Sequence, residues 1–186
     1  MSAMNISTEF SNACRAVRQR HLDHVKSLGI SATTITEHAL RFRAMGFGVT
    51  CGTIGEDGLY IPGDGPSMIV LPIVEEGGLV DLVAWRTAQP GRWGLRTGLR
   101  WALGADNLCA FGQWSDCIAL HDNPLGWLRA GCDGGCVVDW DAPEVEKLAG
   151  WSKIETSRRV ANILRPRLAR PRPIPEIVSM EAQNAE

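Results

Sequence analysis

A chain of 186 residues is long enough for one solid core with a small appendage and too short for two large domains. Its 45% hydrophobic and 22% charged residues are those of an ordinary globular protein and exclude disorder of the whole chain. A net charge of −2 and a pI near 6.1 exclude a protein that coats nucleic acid indiscriminately, so any such contact is local.

Residues 8 to 28 are expected to form a helix, with Thr8 as N-cap and Phe10, Cys14, Val17, His21, Val25 and Leu28 recurring at three- and four-residue intervals until Gly29 stops it. Ser31 fits the N-cap of a second helix running to about Met45, with Ile35, Ala39 and Phe42 on one face. Residues 1–48 are therefore expected to be a helical hairpin.

From residue 49 to 104 the texture is β-branched and glycine-punctuated: Leu59 to Ile61, Ser67 to Val74 and Leu79 to Trp85, with Glu75-Glu76-Gly77-Gly78 as a hairpin loop. A small antiparallel sheet is predicted. Gly52 to Gly65 contains no phosphate-loop pattern. Between Trp85 and Trp101, Arg86, Arg92, Arg96 and Arg100 interleave with Trp85, Trp93 and Trp101, and no acid intervenes. Guanidinium groups grip phosphates and indole faces stack on unpaired bases, so Arg86, Arg92, Trp93, Arg96 and Arg100 are the expected contacts to single-stranded nucleic acid. The competing reading has the tryptophans filling the core under arginine stems.

Residues 105–156 alternate short apolar runs, Cys117 to His121 and Gly135 to Asp139, with helix-like stretches, Pro124 to Ala130 and Pro143 to Ala149. That alternation predicts a small parallel sheet in which the strands ending at His121 and Asp139 lie side by side. The second run leads into Asp139-Trp140-Asp141, and two carboxylates delivered by a strand are one way to hold Mg²⁺, with Asp122 as a third oxygen donor. Loop start and helix cap are the other roles an Asp-x-Asp fills. Cys132 and Cys136 make a single C-x₃-C pair, which by itself does not complete a zinc site. Residues 157–186 form a basic tail, with six arginines, four prolines and no acid between Ser157 and Pro175. Helix is expected to about Leu164 and extended polyproline conformation from Arg165.

The order of these segments resembles the catalytic core of bacterial and phage DNA primases, Toprim part included. The resemblance spans about residues 12 to 150. It is carried by Leu28-Gly29-Ile30-Ser31 between two helices, by Met68 to Ile73 followed by Gly77-Gly78-Leu79-Val80 and Trp85-Arg86, and by Cys117 to His121 and Val137 to Asp141 in the places of the two Toprim strands. Where the family presents a glutamate followed by glycine, this chain has His121-Asp122-Asn123, and arginines stand where the family has lysine.

The resemblance implies a shortened relative from a phage or mobile element. The fold expected is α+β: a helical hairpin, a small antiparallel sheet and a reduced Toprim-like α/β unit. The expected function is that of a nucleic-acid-associated accessory protein in DNA replication, catalytically inactive and binding single-stranded or opened DNA, with replication proteins as further partners. Two other readings stand beside it: a metal-dependent phosphoryl or nucleotidyl transferase using Asp139 and Asp141, and a structural or protein-interaction module. No run approaches the roughly 18 apolar residues of a membrane span, and the start lacks a signal-peptide pattern, so the cytoplasm is the expected location, with no membrane partner.

Overall fold

The fold is described from a computed structural model covering residues 5–41, 46–75, 77–110 and 116–169. It combines helices with a four-stranded antiparallel sheet and a smaller set of short strands. Three helices open the chain: α1 (Ile6–Arg15), α2 (Gln19–Ser27) and α3 (Ala32–Arg41). The single helix expected over residues 8 to 28 is thus two. The cap of the first is Asn5, whose side chain accepts hydrogen bonds from the Ser7 and Thr8 N–H groups. The break follows from packing. Phe10 of α1 is buried against one face of the sheet and Val25 of α2 against the other, so the chain must turn the sheet's edge between them. The expected cap at Ser31 is present, its hydroxyl accepting from the Thr34 N–H at 2.9 Å. The expected end of this helix at Met45 lies outside the described residues.

The sheet is a meander in the order β1 (Gly48–Ile54), β2 (Tyr60–Glu75), β3 (Gly78–Arg86) and β4 (Gln89–Leu95). Alternation along β2 and β3 divides their apolar residues between two cores. Met68, Val70, Leu82 and Ala84 pack with Phe10 beneath α1. Ile69, Leu71, Ile73, Val83 and Trp85 pack with Val25 and Ile30 on the other side. The second core continues into Leu125, Trp127 and Leu128 of α5 (Pro124–Arg129), which fastens the remainder of the chain to the sheet.

That remainder contains β5 (Ala102–Leu103), α4 (Ala105–Cys109), β6 (Cys117–Leu120), β7 (Cys136–Val137), a 3₁₀ helix over Pro143–Gly150, β8 (Lys153–Thr156) and α6 (Arg158–Leu168). β5 pairs with β7 antiparallel and β6 with β8 parallel. The strands ending near His121 and Asp139, expected side by side in one parallel sheet, instead lie in different sheets, each drawn to another partner, and touch only through one isolated parallel bridge from Leu120 to Gly135. There the His121 N–H donates to the Gly135 carbonyl at 2.9 Å and the Gly135 N–H to the Ala119 carbonyl at 3.0 Å. This close approach needs glycine at 134, where φ is +63° and a Cβ would stand 2.1 Å from the Ala119 carbonyl oxygen.

The tail differs from expectation. The helix does not yield to extended chain at Arg165 but runs to Leu168 with Pro166 inside it. Val160 and Leu164 are buried against Leu120, Val137 and Leu148, and Arg167 Nε donates to the Trp140 carbonyl at 2.9 Å, so docking of the last turn offsets the hydrogen bond that proline removes. The stretch from Arg170 onward, where extended conformation was also expected, lies outside the described residues. Among the described residues no helix is long and apolar enough to cross a membrane.

Candidate functional site

The arginine and tryptophan stripe falls on β3, β4 and the segment after them, and the two-residue period of a strand separates what the sequence interleaves. Trp85 and Trp93 are cross-strand partners facing the core; Trp85 is 0% exposed and Trp93 is half-buried against the same cluster. Trp101 is 4% exposed in the neighbouring core. Trp114, a fourth tryptophan of this half, lies outside the described residues. Arg86 pairs across the sheet with Met68, on the side away from Trp85, and its Nε is closed off from solvent without a partner among the described residues. Arg96 points to α1, where Nε donates to Glu9 at 2.9 Å and 3.2 Å. Arg100 Nη1 donates to Glu75 Oε2 at 3.0 Å. Arg92 is exposed. A stacking surface built from alternating indoles and guanidiniums is therefore not formed by these side chains: Trp85 and Trp101 are core, and Arg96 and Arg100 hold internal carboxylates.

The three aspartates sit at three different tasks. Asp139 Oδ1 accepts the Asp141 N–H at 2.9 Å, a local turn of the kind that begins a loop. Asp141 is 93% exposed at its side chain and accepts from Arg167 Nη2 at 2.8 Å. Asp122 accepts from the hydroxyl of Ser157, which is also the N-cap of α6 and accepts the Val160 N–H. These carboxylates do not converge, and among the described residues no group of three or more His, Cys, Asp and Glu is placed to hold a metal ion. As arranged, they do not fit a Mg²⁺ cage.

Asp139 does line a cleft of about 270 Å³ with Arg100, Asp106, Glu144 and Lys147. Sequence reasoning missed this grouping, because its members come from β7's exit, α4, the 3₁₀ helix and the segment after β4 and share no spacing.

Cys132 and Cys136 are both buried, and burial pushes the Cys136 thiol far above its ordinary range. Cys51 and Cys109 are exposed. A maleimide reagent is expected to label Cys51 rapidly in the native protein and Cys136 only after denaturation, read by peptide mass spectrometry. Equal rates for the two would contradict the packing of β5 on β7.

A scan against protein-family models, a search of curated proteins and a search of solved structures each return no match.

Proposed function

We propose that the chain is a nucleic-acid-associated accessory protein derived from a primase-like core, gripping single-stranded or locally opened DNA by its phosphates and performing no catalysis. The observation that carries this reading is α6. Arg158, Arg159 and Arg165 are exposed on a helix whose other side is anchored in the core, and no acidic residue occurs from Ser157 through Pro175. A rigid, acid-free cationic helix on a chain of net charge −2 is a local phosphate-binding feature of the kind the overall charge permits. The engagement of Asp122 and Asp141 with α6 supports an accessory role: these carboxylates serve to hold the basic helix in place.

Fluorescence anisotropy with a labelled oligonucleotide, single-stranded and duplex, tests the reading. Binding at about 50 mM salt should weaken steeply as salt rises, since phosphate contacts release counterions. Replacing Arg158, Arg159 and Arg165 by alanine should flatten the log–log salt slope by about 0.7 for each single-strand phosphate that is no longer neutralised. Arg92→Ala should contribute less, and Arg96→Ala should lower stability while leaving the slope unchanged, because its partner is Glu9. No binding to either form at about 50 mM salt, where phosphate contacts are still strong, sinks the proposal.

A further inference from the structure

On the sheet face covered by α2, a pocket of about 240 Å³ opens between that helix, strands β1 and β2 and the turn that follows β3. Val49 and Ile69 line it as apolar surface; Arg20, His21 and His24 come from α2, Ser67 brings a hydroxyl group from β2 and Thr87 one from the turn after β3. Among the described residues no carboxylate lines it.

The polar groups here are short of acceptors. His24 Nε2 is closed off from solvent and has no hydrogen-bond partner among the described residues, so it lies in the pocket wall and offers no acceptor to its neighbours. His21 takes the Arg18 N–H on Nδ1 at 2.9 Å, while Arg20 Nε stands 3.1 Å from its Nε2. A neutral imidazole has one protonated nitrogen and one with a free lone pair, so one of these two contacts sets donor against donor. Burial, followed by the charges of Arg20, Arg18 and His24, holds His21 below its ordinary value, so the ring is neutral near pH 7 and the conflict stands. An anion resolves it by accepting from both sides. Among the described residues Thr87 Oγ1 reaches only the Ser67 carbonyl, at a long 3.3 Å.

We propose that this pocket binds a phosphomonoester, with its phosphate among Arg20, His21 and the Ser67 and Thr87 hydroxyls and its organic end against Val49 and Ile69. The volume lies below the roughly 300–1,000 Å³ of sites that enclose a whole ligand, which suits a terminal group. Small phosphorylated molecules and the phosphorylated end of a nucleic-acid strand share this chemistry. The site uses none of the α6 arginines on which the proposed strand binding rests, so each can fail without the other.

Isothermal titration of the intact protein with a nucleoside 5′-monophosphate, with inorganic phosphate and with a short oligonucleotide bearing either a 5′-phosphate or a 5′-hydroxyl is the test. The monophosphate should bind more tightly than inorganic phosphate, which lacks the organic end. Arg20→Gln combined with His21→Gln should weaken it about tenfold, the loss expected from removing charge-assisted hydrogen bonds. Arg20→Gln alone, at an exposed position of α2, reports the same loss in smaller measure should the double variant not fold. A preference for the phosphorylated oligonucleotide supports the site and assigns it to strand ends, and monophosphate binding without that preference supports it and assigns it to small molecules. No heat with the monophosphate at millimolar concentration, or equal affinity in parent and Arg20→Gln, overturns the proposal.

Discussion

Replacing Trp85 by alanine is expected to lower stability by about 3–5 kcal/mol, the usual cost of emptying the site of a large aromatic side chain in a core. Trp85 is 0% exposed, sits across from Trp93 and belongs to the cluster that joins α2, the sheet and α5. Because that cluster unites the two halves of the chain, the loss should reach all of it and appear as one cooperative shift of the thermal midpoint, roughly 2–4 °C per kcal/mol for a protein of this size. Trp85→Phe should cost much less, since it keeps most of the volume and removes an indole N–H that is buried without a partner among the described residues. Calorimetry on the parent and both variants measures this. A stable Trp85→Ala protein that had lost oligonucleotide binding would return Trp85 to the surface role its sequence context suggests.

The turn before β7 gives the second large effect. Gly134→Ala should cost about 3 kcal/mol or more, from two sources that act together. Its φ of +63° lies in the left-handed region, where a Cβ costs about 1–2 kcal/mol, and the new methyl would meet the Ala119 carbonyl oxygen at 2.1 Å. That carbonyl also accepts the Gly135 N–H, so relieving the clash loosens the bridge between β6 and β7. Gly131→Ala is the matched control, with a similar φ of +73° and nothing within 4 Å of the added Cβ. It should lose only the conformational part, about 1–2 kcal/mol. Denaturant titrations in which the two variants lose equal stability would show that the steric contact contributes nothing.

The two central strands, the hairpin at Gly77-Gly78 and the strand, helix and strand from Cys117 to Val137 were legible in the sequence because each rests on a local signal: β-branched runs, paired glycines, and Asn123-Pro124 opening a helix. β4 was not, since Pro90, Gly91 and Gly94 give its stretch the look of a loop, and only its pairing with β3 makes it a strand. β8 escaped for a similar reason: Lys153-Ile154-Glu155-Thr156 is short and charged, and it is a strand because β6 lies beside it. The break between α1 and α2 leaves the helical spacing of apolar residues intact, and the spacing does not reveal that the two halves serve opposite faces of the sheet. The candidate site misled for a physical reason. Alternating arginine and tryptophan suggests one mixed surface when the chain is read as a line, whereas in an extended strand the alternation sends the two residue types to opposite sides. The cleft around Asp139 and the pocket around His24 are assembled across distant elements, and no window of sequence contains either.

The parallel pairing of β6 with β8 sets an order of assembly. By Leu95 a chain emerging from the N-terminus already contains every strand of the meander, each beside its sequence neighbour, and such nearby partners close quickly. β6 meets the next strand in sequence only at the Leu120–Gly135 bridge, and its paired strand comes much later. Leu120 waits for Thr156, 36 residues later, whose hydroxyl donates to its carbonyl, and α6 must then dock before Val160 and Leu164 cover Leu148. During that interval the C-terminal half presents Trp101, Leu108 and Ile118 without their cover. This is therefore the stretch from which misassembly on the ribosome would start, with a sheet already formed beside it.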